Sequence, residues 1–262
     1  MAGKIIGIIS LKGGVGKTSS VANLGAVLAS EFGKKTLVID ANFSAPNLGL
    51  HLGLVEPGAT IHDILLDKVQ VNDAIYEHES GFHFIPGAYV SRKIKPFKLK
   101  QKISYLKDYY DMILIDSSPN LNEEMLATMI ASDELLVVTT PDYPTLSTTL
   151  RAVRLAKQKR TPITGLILNK VRNKKYELTS EEIEKTLKIK VIEKIPFDKR
   201  VPESIARRIP VVLFKPRSKS GKAYKRLAAS IVGEKPKKKI RGKKLRDFLK
   251  FYSLKRKKKK WL

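Results

Sequence analysis

Lys4-Ile5-Ile6-Gly7-Ile8-Ile9-Ser10-Leu11-Lys12-Gly13-Gly14-Val15-Gly16-Lys17-Thr18-Ser19 is a short apolar run that breaks into a glycine-rich loop. It gives way to the helical pattern Val21-Ala22-Asn23-Leu24-Gly25-Ala26-Val27-Leu28-Ala29. Strand, loop and helix in that order make a cradle for phosphate. Glycines let main-chain N–H groups approach an anion with no Cβ in the way. The helix that follows aims its positive end at the same point. In this arrangement Gly13, Gly14, Val15, Gly16, Lys17, Thr18 and Ser19 form the cradle, Lys17 reaches the β- and γ-phosphate oxygens, and the Thr18 hydroxyl ligates Mg²⁺. The usual motif begins with glycine five positions before Gly16. Leu11 stands there instead, and a second lysine, Lys12, precedes Gly13-Gly14.

Working outward, further apolar runs of strand length alternate with helical patterns: Thr36-Leu37-Val38-Ile39, Met112-Ile113-Leu114-Ile115, Leu135-Leu136-Val137-Val138, and the runs over 163–168 and 191–195. Continuous apolar strands are buried on both faces. Helices between them predict a mostly parallel sheet covered on both sides, a single α/β P-loop NTPase domain. Ligands of such sheets bind at the carboxyl ends of the strands. Ser10, Asp40, Asp116 and Asn169 all fall at such ends. Asp116, before Ser117-Ser118-Pro119, is placed to hold a water on Mg²⁺.

The Lys12 variant of the loop resembles the deviant P-loop family of MinD, ParA and their relatives, over roughly residues 3–232. The resemblance implies ATP with Mg²⁺ as cofactors and an ATP-hydrolysing enzyme. It implies an ATP-dependent homodimer in which two nucleotides are sandwiched and Lys12 crosses to the partner's nucleotide. Asp40-Ala41-Asn42-Phe43-Ser44-Ala45-Pro46-Asn47-Leu48 looks like the family's first switch, with Asp40 near the metal. Relatives carry a second acid where this chain has Asn42. An amide orients water but cannot take its proton, so turnover is expected to be slower here than in those relatives. Asn169 matches the residue that contacts the adenine edge, and Ile195-Pro196-Phe197-Asp198 the stretch that packs on the base, so Pro196 and Asp198 join the nucleotide set. Near Leu146-Ser147-Thr148-Thr149-Leu150 relatives often have an acid, where this chain has hydroxyls. The stretches over 44–54 and 85–87 look MinD-like, closest to archaeal members. A spatial-positioning switch, for division or cargo placement, is the implied role, with an activating protein as a further partner. A nucleotide-locked scaffold that hardly hydrolyses is the alternative that Asn42 keeps open.

Composition bounds these expectations. Cysteine is absent, which excludes disulfides, thiolate nucleophiles, iron–sulfur clusters and cysteine-ligated zinc. His51, His62, His78 and His83 have no metal-ligand spacing and read as ordinary surface or core residues. There is no signal-peptide pattern and no membrane-length apolar run, so a soluble, cytoplasmic protein is expected.

The formal charge is +26, and residues 235–262 hold 15 of the 51 Lys and Arg with one acid, Asp247. The chain thus divides into a P-loop domain over 1–234 and a basic tail over 235–262. In the tail Leu245, Phe248, Leu249 and Tyr252 fall on one helical stripe. A basic amphipathic helix is the pattern of an interfacial anchor. It predicts peripheral attachment to the inner face of the cell membrane, with non-specific DNA as the other polyanion the lysines would suit.

Overall fold

The computed structural model describes residues 3–88 and 94–234. The chain runs β1 (Lys4–Ile9), α1 (Lys17–Phe32), β2 (Thr36–Ala41), α2 (Leu48–Leu52), α3 (Ile61–Leu65), β3 (Tyr76–Glu77), β4 (His83–Ile85) and α4 (Lys98–Ile103). It continues through β5 (Met112–Ser117), α5 (Glu123–Ala131), β6 (Glu134–Thr139), α6 (Tyr143–Gln158), β7 (Ile163–Val171), α7 (Ser180–Leu187), β8 (Val191–Pro196), α8 (Arg200–Ala206), α9 (Val211–Phe214) and α10 (Lys219–Val232).

The eight strands make one sheet in the order β3-β4-β2-β5-β1-β6-β7-β8, with only β3 antiparallel. All six expected runs are strands. β2 and β5 are buried at every residue, as strands covered on both faces must be. Alternate residues of β1 serve opposite faces. Ile6 and Ile8 pack with α1, α2, α9 and α10. Ile5 packs with α3 and α4, and Ile9 with α5, α6 and α7. β3 and β4 have no counterpart among the runs read from the sequence. They span two and three residues, too short for an apolar period to register.

β1 lies between β5 and β6, where chain connections leave in opposite directions. This is the topological switch point, at which α/β sheets bind ligands. Registers set Ile8 beside Asp116 and Asp116 beside Asp40, so the glycine loop emerges next to both carboxylates. Among the described residues no helix is long and apolar enough to cross a membrane. The tail over 235–262, with its stripe Leu245, Phe248, Leu249 and Tyr252, lies outside the described residues.

Candidate functional site

The loop after β1 turns at once. The Ser10 hydroxyl accepts the Lys12 N–H (3.2 Å) and lies 3.0 Å from the Lys12 carbonyl. Gly14 and Gly16 take positive φ, 75° and 97°, conformations that favour glycine. Gly16 has a second reason: a Cβ there would meet the Asn169 amide nitrogen at 2.3 Å. α1 then starts with no side-chain cap and no acid in its first turn, so its leading N–H groups stay available to an anion.

Asn169 buttresses this loop from β7. Its Nδ2 donates to the Val15 carbonyl (2.7 Å), and its Oδ1 accepts the Lys170 N–H (2.9 Å). Lys170 adopts a positive φ of 58° and its Nζ donates to the Gly14 carbonyl (2.6 Å). Two residues that end β7 therefore tie down two loop carbonyls, which leaves the N–H groups as the loop's open face.

The carboxylates differ in partners. Asp40 accepts the Asn42 N–H at Oδ1 (3.1 Å) and the Asn47 and Leu48 N–H groups at Oδ2 (3.0 and 2.9 Å). Burial, then the charge of Asp116, nevertheless push its carboxyl up to about 7 against those three bonds. Asp116 is buried with no hydrogen bond to either oxygen. Burial raises its carboxyl too. Lys17, Thr18 and His51 counter that burial, although the Thr18 hydroxyl makes no bond of ordinary geometry to it. An orphaned buried carboxylate beside a hydroxyl and a second carboxylate fits a hard divalent cation, which takes oxygen ligands. Asp116 and Thr18 could ligate it directly. Asp40, which also holds the loop over 42–48, keeps acceptor capacity on Oδ1 next to them.

Within that loop, Asn42 donates Nδ2 to the Ala45 carbonyl (2.6 Å). The Ser44 hydroxyl meets the buried Glu124 carboxylate at the start of α5. Lys12, at the loop's other end, bonds within its own chain to Asp142 Oδ1 (3.2 Å) and Thr145 Oγ1 (2.7 Å) at the start of α6. Burial lifts the Asp142 carboxyl, but donors from Thr140, Thr145 and Lys12 outweigh it and hold it at about 2. Asp142 is the N-cap of α6, and the hydroxyl-rich turn at 147–149 follows it on that helix.

A cleft of about 510 Å³ joins these parts. Its walls include Gly13–Ser19 of the loop, Asn42, Asn169, Pro196 and Asp198 from the expected set. Lys12, Asp40 and Asp116 lie off the lining. Asp198 accepts the Arg200 and Ser220 N–H groups (2.9 and 3.1 Å), and the Arg172 guanidinium stands 4.0 Å from the Phe197 ring centre. The lining also holds residues that were not singled out, among them Asn47, His51, Lys170 and Ile205. His62 and His78 are buried, as ordinary core histidines would be, but His51 is a cleft residue. Its lack of metal-ligand spacing hid it. A second cavity of about 460 Å³, lined by His83, Tyr105, Tyr109 and Tyr110, opens near the amino ends of β2 and β4 and includes none of the expected residues.

Residues 6–211 match the family model for the CobQ/CobB/MinD/ParA nucleotide-binding domain. The chain is 36% identical over 234 residues to an ATP-binding protein of Methanocaldococcus jannaschii, covering 88% of each. It superposes on the cell division ATPase MinD of Pyrococcus furiosus with a TM-score of 0.84 at 35% identity, over 88% of this chain and 99% of that one. On MinD of Pyrococcus horikoshii complexed with Mg-ADP the TM-score is 0.83 at 33% identity, over 87% and 95%.

The carboxylate pair makes stability pH-dependent when metal and nucleotide are left out. With its folded-state value near 7 and an ordinary value of 3.8, Asp40 keeps in the folded chain a proton that the unfolded chain releases. Its stabilisation is complete below about pH 4 and is lost as pH rises through about 7. The unfolding free energy of wild type, relative to Asp40→Asn, should fall by on the order of a few kcal/mol across that window. Urea titrations at stepped pH measure it, and equal slopes in both proteins would count against the assignment.

Proposed function

Because the chain belongs to the CobQ/CobB/MinD/ParA family of nucleotide-binding domains, we propose that it is a MinD/ParA-type ATPase that binds MgATP and pairs with a second copy across two sandwiched nucleotides. The observation that carries this reading is the loop itself. Two of its carbonyls are tied back by Asn169 and Lys170, residues 13–19 line the cleft, and Asp116 stands unpartnered among the described residues, beside Lys17 and Thr18. Lys17 would lie along the phosphates, and Thr18 and Asp116 would hold Mg²⁺. Bound Mg²⁺ supplies charge neutralisation for the phosphates in this chemistry.

Lys12 would exchange its contacts with Asp142 and Thr145 for the partner's nucleotide. Asn42 would orient the attacking water without accepting its proton, which makes hydrolysis slow and leaves room for an activating protein. Pro196, Phe197 and Asp198 would flank the base, with Asn169 at its edge. The tail over 235–262 would bring the dimer to an anionic membrane, since two weak basic helices bind with more avidity than one. The biological role is then a spatial-positioning switch at the cytoplasmic membrane face.

Three measurements bear on this. Light scattering with MgATP should give a dimer for wild type and a monomer for Lys12→Ala, with nucleotide binding retained in both. A wild type that stays monomeric would overturn the sandwich. In steady-state assays Asn42→Asp should turn over ATP faster than wild type, and no gain would remove Asn42 as the reason for slow hydrolysis. The full chain should sediment with anionic liposomes more strongly in ATP than in ADP, and a chain ending at residue 234 should not. Retention on DNA without liposome binding would replace membrane by nucleic acid.

A further inference from the structure

His51 sits on α2, the short helix that follows the loop anchored by Asp40. Its Nδ1 lies 3.1 Å from the Asn47 carbonyl, which also accepts the His51 main-chain N–H at 3.1 Å. A carbonyl only accepts, so Nδ1 carries the proton and the ring is oriented by a fixed main-chain atom. Nε2 is then the nitrogen with no hydrogen bond among the described residues. The ring lines the cleft together with Lys17, Thr18, Asn42 and Asn47. It also borders the small gap between Ser19 and Asn23 of α1 and Ile205 of α8. It is therefore close to the first turns of the helix that follows the glycine loop.

Of the side chains that residues 42–51 bring to the cleft, Asn42, Asn47 and His51, only the imidazole can carry positive charge. We propose that His51 is a phosphate-contacting residue of this cleft, its Nε2 donating to an oxygen of the nucleotide's phosphate chain from the α2 side. In that contact both ring nitrogens donate, Nδ1 to the Asn47 carbonyl and Nε2 to the phosphate oxygen. A charge-assisted bond of this kind also holds α2, and the Asp40 loop before it, against bound nucleotide. The inference rests on the nucleotide reading of the cleft.

The test is equilibrium binding of MgATP, MgADP and adenosine to full-length wild type, His51→Leu and His51→Gln. Loss of one charge-assisted bond should weaken MgATP and MgADP in the Leu variant by about tenfold or more, with adenosine affinity unchanged. His51→Gln, whose amide nitrogen can still donate from nearly the Nε2 position, should recover most of the loss. Equal MgATP affinity in wild type and His51→Leu would overturn the assignment. So would an equal loss for adenosine, which would mark a residue that merely shapes the cleft. A wild type that binds no MgATP would overturn the nucleotide reading as well, and is distinguishable because the wild-type arm alone shows it.

Discussion

Asp40 and Asp116 stand side by side at the ends of β2 and β5, both shut away from water. Two buried carboxylates in register repel, and each resists ionisation. The surrounding structure divides them into different roles. Asp40 accepts three main-chain N–H groups and so fixes the path of residues 42–48. That path sets the start of α2, and α2 sets His51. Asp116 receives no such bonds, and only Lys17, Thr18 and His51 act on it favourably. One carboxylate thus serves the backbone while the other stays available to a cation, and each role needs the other group's neighbourhood to be polar.

The glycine loop depends on the same end of the sheet from the opposite side. Its N–H groups can face an anion only if its carbonyls are occupied elsewhere. Asn169 and Lys170 occupy two of them from β7, two strands away from β1. Gly16 is then constrained twice, by its left-handed backbone and by the Asn169 amide pressed against it. A side chain at Gly16 would displace the residue that holds the loop open.

Most of this frame was legible in the residues. The run over 4–9, the loop and the helix after it form in the expected order, and Asp40 and Asp116 end buried strands because both runs before them are continuously apolar. What was not legible came from contacts between distant segments. β4 pairs with β2 over three residues, and a segment that short has no period to read. The reach of Asn169 to Val15 spans 154 positions, so nothing local marks it as a loop buttress. Lys12 meets Asp142, 130 positions away at the N-cap of α6, a pairing that no local pattern marks. His51 escaped because a single histidine has no spacing to recognise. Its position follows only from the fold of residues 40–48.

The two loop lysines show how burial separates constitutive from exchangeable contacts. Lys17 is buried, at 8% exposure, and its charge favours the ionised form of Asp116. Releasing it would leave charge uncompensated in a low-dielectric site. Lys12 and Asp142 are each about two-fifths exposed, and ion pairs at that exposure contribute about 0–1 kcal/mol. A contact that weak orders the side chain without committing it. A ligand that offers Lys12 several phosphate oxygens at once therefore has little to displace. The difference in exposure between lysines five residues apart leaves Lys17 fixed within its site and Lys12 able to exchange its contacts.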